Sequence, residues 1–179
     1  MTSGERSELA LFIDFENIAL GLEGRKDPTF EIQRVLERLL EKGNVIVKRA
    51  YADWSRFSSF TRSFHEAAIE LIEIPKRRAT GKNSADIRLC VDAMDLCFSK
   101  EHIDTFVIVS GDSDFSPLVS KLRENGKHVI GLGLQGSTSN LLVSNCDEFV
   151  FYETLAAPQR GLGPAAAGAA PRDKADVLK

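Results

Sequence analysis

Cysteine is scarce: Cys90, Cys97 and Cys146 are the three thiols in 179 residues. An odd count closes no disulfide framework, and none of the spacings suits a zinc site. Cys90 and Cys97 stand seven apart in an apolar helical pattern, so they read as core thiols in a reducing compartment. Histidine is equally rare, and His65, His102 and His128 are too scattered to suggest a catalytic role. There is no Ser-His-Asp or Cys-His arrangement, no Walker loop and no Gly-rich dinucleotide fingerprint. No segment approaches the about 20 apolar residues of a membrane helix. Met1 to Glu8 is polar, without the hydrophobic stretch of a secretory leader. The expectation is a cytoplasmic protein with no membrane association. Neither sign of charge dominates: the net charge is −3 and the pI about 5.7. That argues against a basic, duplex-coating protein, yet permits nucleic acid held by a local basic patch beside an acidic site.

What is present is a globular composition, 43% hydrophobic and 27% charged, long enough for one domain. The hydrophobic period switches repeatedly between strand-like and helix-like. Strands are predicted at Leu9–Ile13, Asn44–Tyr51, Ile69–Ile74, Thr105–Val109, His128–Leu132 and Glu148–Tyr152. Helices are predicted at Phe30–Leu40, Phe57–Ala68, Ala85–Phe98, Phe115–Glu124 and Thr138–Ser144. In the third of these, Ile87, Cys90, Val91, Met94 and Cys97 are expected on one face. Alternating strands and helices imply right-handed crossovers: an α/β, three-layer αβα sandwich with a mostly parallel central sheet. Residues 1–8 are expected to be a disordered N-terminus and 9–154 the domain. Residues 155–179, dominated by Ala, Gly and Pro, read as a disordered tail or linker. Gly131, Gly133 and Gly136 read as turn residues.

In open parallel sheets, sites form at the C-terminal strand ends, near the point where strand order reverses. Asp14 ends the first strand, Asp112 and Asp114 follow the fourth, and Asp86 opens the long helix on the same edge. If the first and fourth strands are neighbours, the four carboxylates converge. Two carboxylates about 4 Å apart repel by about 4 kcal/mol at an effective dielectric of about 20, so such a cluster must protonate in part or bind a hard cation. Oxygen donors without His or Cys select Mg²⁺ or Mn²⁺, whose bound water can attack a phosphodiester. Singly, the acids have structural roles open to them: Asp114 as a helix cap, Asp112 as a turn residue, Asp86 as a first-turn acid facing the helix dipole. Asp14, ending a buried apolar strand, has few.

Leu11-Phe12-Ile13-Asp14-Phe15-Glu16-Asn17 resembles the opening strand of the NYN family, whose LabA-like members share this Asp-x-x-Asn signature. Gly81 to Asp86, with Val91-Asp92-Ala93-Met94, is similar to the family's central helix. Val107 to Phe115, running into Pro117-Leu118, resembles its third motif, and Gly126-Lys127-His128-Val129 the strand that follows. The resemblance covers Leu9 to Tyr152. It implies a PIN-like (Rossmannoid) fold, Mg²⁺ or Mn²⁺ bound by Asp14, Asp86, Asp112 and Asp114, and ribonuclease activity. Asn17 would position water, metal or phosphate. Asp92, Ser110 and Ser113 are secondary candidates, although Asp92 lies about 600° around the helix from Asp86 and has Arg88 one turn earlier as a partner.

Lys76-Arg77-Arg78-Ala79-Thr80-Gly81-Lys82 puts four cations just before Asp86. Arg77, Arg78 and Lys82 could hold the phosphates of RNA, single-stranded rather than duplex; a solvated loop is the plain alternative. Trp54, Phe57 and Phe60 suit either a base-stacking face or the core, and the core is favoured. Asp53 could orient substrate or cap a helix. Cleavage is expected to be endonucleolytic, with a homodimer or a partner protein able to complete the pocket. Against the nuclease stands an RNA-binding or regulatory module that keeps the fold but little or no catalysis. A haloacid-dehalogenase-like phosphatase shares the strand-end Asp, but has an Asp where this chain has Glu16.

Overall fold

The computed structural model describes residues 6–75 and 84–156. Six strands form one sheet: β1 (Ser7–Asp14), β2 (Gly43–Ala52), β3 (Glu70–Glu73), β4 (Thr105–Val109), β5 (His128–Gly133) and β6 (Glu148–Phe151). Their order is β3-β2-β1-β4-β5-β6, and every pairing is parallel. The helices between them are α1 (Phe15–Leu22), α2 (Ile32–Leu40), α3 (Ser58–Glu66), α4 (Ser84–Ser99), α5 (Ser116–Glu124) and α6 (Asn140–Asn145). The sheet runs out from β1 in both directions, so the order reverses between β1 and β4.

Alternation along β1 divides the core in two. Leu9, Leu11 and Ile13 face the layer holding α1, α2 and α3. Ala10 and Phe12 face α4 and α5. In β4, Val107 and Val109 share the first face, and Phe106 and Ile108 the second. Both inner strands are buried on both sides, which is why each reads as a continuous apolar run. By the same alternation, Asp14 and Ser110 continue the face that looks toward α4.

Helix α1 is an element that the sequence pattern did not separate from β1. Its apolar residues Phe15, Ile18 and Leu22 have helical spacing, but they abut the apolar strand, and Gly21 weakens helical propensity. Gly21 is there for space: a Cβ would meet Ser137 Oγ at 2.7 Å and the Leu134 side chain at 2.8 Å. Phe15 anchors the helix among Trp54, Phe57, Phe60 and Phe64, with ring centroids 4.8 to 5.4 Å away. Trp54, Phe57 and Phe60 therefore belong to the core rather than to a base-stacking face.

Four further expectations are corrected. Helix α4 turns Ala85, Leu89, Ala93, Leu96 and Cys97 to the core, while Ile87 and Val91 point outward. The helix is apolar on two sides, and its small alanines face the sheet. Gly131 and Gly133 lie in β5, not in turns; a Cβ at Gly131 would meet the Phe149 ring at 2.4 Å. Leu155, assigned to the tail, is buried in the core. Ser7 and Glu8, assigned to a disordered N-terminus, begin β1, paired with Gly43 and Asn44. Residues 1–5, and the tail from residue 157, lie outside the described residues.

All three cysteines are free, with Cys97 buried and Cys90 and Cys146 half-buried. No helix among the described residues is long and apolar enough to cross a membrane.

Candidate metal centre

Parallel pairing brings the ends of β1 and β4 side by side: Ile13 is in register with Val109, and Asp14 with Tyr51 of β2. Tyr51, Asp14 and Ser110 thus form a row across the sheet on the face beneath α4. Asp14 is 3% exposed. One of its oxygens accepts from Ser110 Oγ at 3.3 Å, the other from the Asn17 backbone N–H at 3.4 Å.

Ser110 relays this to the next acid, because its Oγ also accepts from the Asp112 N–H at 3.2 Å. Asp112 Oδ1 in turn accepts from the Asp114 N–H at 2.9 Å, capping the short 3-10 turn Ser113–Phe115 that leads into α5. The structural role open to Asp112 is therefore realised by one oxygen, and its second oxygen remains available. Asp86 stands in the first turn of α4, above the sheet. Asp86, Asp112 and Asp114 each offer an oxygen within 4.8 Å of the others.

Charge on these groups is costly. Asp14 is lifted from 3.8 to about 7, first by burial and then by Asp86; its bonds from Asn17 and Ser110 act in the opposite direction. Asp86 is lifted to about 6 by burial, then by Asp112 and Asp114. Among the described residues, the strongest influences on both are burial and other carboxylates, none of them a cation. Oxygen-only donors, crowded and short of positive charge, could hold a hard divalent cation.

Asn17 is placed at the seam. Its Oδ1 accepts from the Gly111 N–H at 2.8 Å, and its Nδ2 makes no hydrogen bond among the described residues. Gly111 is confined from the other side: a Cβ there would meet Ser137 O at 2.7 Å and Thr138 Cα at 2.9 Å.

The secondary candidates separate. Ser110 is buried within the site. Ser113 sits in the turn, with no hydrogen bond from its hydroxyl among the described residues. Asp92 stands apart from the three-carboxylate group: it accepts from Tyr51 Oη at 2.6 Å and pairs with Arg88 at 3.3 Å. Burial first, and then Asp92, hold the Tyr51 hydroxyl well above its ordinary pKa. Asp53 accepts from Ser55 Oγ at 2.6 Å, a local turn contact. Arg77, Arg78 and Lys82 lie outside the described residues.

Two neighbours were not picked out from the sequence as site residues. Tyr51 carried no signal beyond strand propensity. Cys90, one turn after Asp86, has its thiol pushed up to about 11 by burial, then by Asp86 and Asp14; the i, i+4 spacing from Asp86 was the available clue.

A parallel sheet with convergent acids at its switch point, and no glycine-rich loop after β1, makes an open α/β fold with an acidic strand-end site rather than a dinucleotide-binding one. The NYN domain profile matches residues 8–153. The chain belongs to the NYN family, a branch of the PIN-like superfamily. It is similar to the uncharacterized protein MJ0482 of Methanocaldococcus jannaschii, 32% identical over 139 residues, which cover 78% of this chain and 52% of that protein. It thus spans about half the length of that relative. A solved structure from Vibrio parahaemolyticus, VPA0982, a protein of unknown function, shares the fold. The TM-score is 0.72 at 23% identity, over 84% of this chain and 96% of that one.

Proposed function

We propose that this NYN domain hydrolyses RNA phosphodiester bonds as a metal-dependent endonuclease, with single-stranded RNA as the preferred substrate. The observation that carries the reading is the buried Asp14 carboxyl, beside Asp86 and Asp112, lifted to about 7 with no cationic partner among the described residues. A carboxylate so placed gains its charge when a divalent cation arrives.

Asp14, Asp86, Asp112 and Asp114 would hold Mg²⁺ or Mn²⁺. Bound there, such an ion would supply an activated water and neutralise charge on the scissile phosphate. The protein's own part is positioning. Ser110 holds Asp14 by one oxygen and the Asp112 backbone by its N–H, so the two acids keep a fixed relation. Asn17 ties the turn after β1 to Gly111, leaving its Nδ2 donors for a phosphate oxygen or water. Arg77, Arg78 and Lys82, immediately before Asp86 in the chain, are assigned to the flanking phosphates.

The test is cleavage of a labelled single-stranded RNA with Mn²⁺, Mg²⁺ or EDTA, comparing wild type with Asp14→Asn and Asp112→Asn. Metal-dependent cutting, absent in both folded variants, supports the assignment. RNA retained without cutting under any metal would transfer it to a binding or regulatory module. Duplex RNA and single-stranded DNA, run alongside, define the substrate.

A further inference from the structure

Helix α4 is apolar on two opposite sides. At 100° per residue, Ala85, Leu89, Ala93, Leu96 and Cys97 gather on the side packed against the sheet. Ile87, Val91, Met94 and Phe98 form a second stripe, about 60° wide, on the far side. Ile87 is 62% exposed, Val91 59% and Phe98 64%, with Met94 partly buried at the stripe's edge. Their spacing of four, three and four residues is that of a seam between paired helices.

The flanks of the stripe say what covers it. One flank carries Arg88, half-exposed beside its pair with Asp92 of the same chain, and Asp95, seven residues and so two turns further on; the other carries Cys90. When two copies of a helix pack antiparallel about a two-fold axis, each flank meets the same flank of its mate. Arg88 then faces Asp95 of the second copy, and Asp95 faces its Arg88, while Ile87 lies near Phe98 and Val91 near Met94. A parallel pair would set both charges against the Cys90 flank, unmatched. The charge pattern is complementary to itself in the antiparallel arrangement alone. Residues 157–179, mostly small or polar, have no comparable apolar repeat to offer this stripe.

We infer that α4 is a self-association seam, on which a second copy of this chain docks antiparallel along Ile87, Val91, Met94 and Phe98. The pairing sets the two Asp86 residues about 20 Å apart along the axis, so each copy keeps its own acids.

Sedimentation of the full chain across roughly a hundredfold concentration range tests this. The expected weight-average mass rises from 19.7 kDa toward twice that value. Val91→Asp and Phe98→Asp, both at exposed positions, should remain monomeric with unchanged circular dichroism. Arg88→Asp and Asp95→Arg should each weaken the dimer at least several-fold, and the double reversal should restore it. A constant mass of 19.7 kDa overturns the inference. So does a dimer that survives both aspartate variants, or one that the double reversal fails to restore.

Discussion

Asn17 Oδ1 accepts a hydrogen bond from the Gly111 backbone N–H at 2.8 Å, joining the turn after β1 to the turn after β4 across the switch point of the sheet. The two acid-bearing segments lie 94 residues apart in the chain, and this bond, with the one from Ser110 to Asp14, fixes their relation.

Asn17→Ala removes the acceptor and leaves the Gly111 N–H without its partner. The expected cost is about 1–3 kcal/mol of stability, with a fall in cleavage rate of roughly 10–100-fold from misplaced ligands. Asn17→Asp keeps an acceptor and should recover the stability, but it lacks the Nδ2 donors and should stay slow. Denaturation midpoints and single-turnover rates read the two effects separately; an alanine variant as stable as wild type would sink the account.

The buried Asp14 makes metal-free stability depend on pH. Its folded pKa of about 7 lies above the unfolded 3.8, so between these values the folded chain holds a proton that the unfolded chain has lost. Stability is therefore fully present below about pH 4 for this group and is lost as pH rises toward 7, at up to about 1.4 kcal/mol per pH unit. Asp14→Asn mimics the neutral carboxyl. Urea unfolding in EDTA at pH 5 and pH 7.5 should show the variant gaining on wild type at the higher pH; an equal difference at both contradicts the shift.

Divalent ions should reverse that cost. At Mn²⁺ concentrations a hundred times the dissociation constant, wild type gains about 2.7 kcal/mol. Asp14→Asn and Asp112→Asn should gain far less. Thermal unfolding with Mn²⁺, Mg²⁺ and Ca²⁺ reads this without any substrate, and equal shifts in all three proteins would place the ion elsewhere.

Gly111→Ala brings a methyl group to within 2.7 Å of Ser137 O and 2.9 Å of Thr138 Cα, both backbone atoms. Backbone cannot swing aside as a side chain does, so the loss should be about 1–3 kcal/mol, with cleavage reduced as the Asp112 turn shifts. A variant with wild-type midpoint and rate would show that the loop at 137–138 yields freely.

Much of this was legible because it is local. Two continuous apolar runs marked β1 and β4, each followed at once by its acids, and the motif order carried the family. Asp14 stood out because an acid at the end of a buried strand has few other uses. The orientation of α4 was not legible, since Ile87 and Val91 are as apolar as Leu89 and Leu96, and periodicity cannot say which stripe meets the sheet. The division of labour between Asp86 and Asp92 was legible in part, since helix geometry separated the two and offered Arg88 as partner to Asp92, but Tyr51, 41 residues before Asp92, came only with the fold.

By itself the sequence determined the six strands, five of the six helices and the family, and marked the four acids as candidates, because each follows from hydrophobic period or from short-range order along the chain. Tertiary structure alone decided the rest. Parallel pairing of β1 with β4 brings Asp14 to Ser110 and Asn17 to Gly111, and the packing of α4 brings Asp86 down to Asp112 and Asp114. Electrostatic repulsion and desolvation act through space, so the raised carboxyls exist only once distant segments share one buried edge.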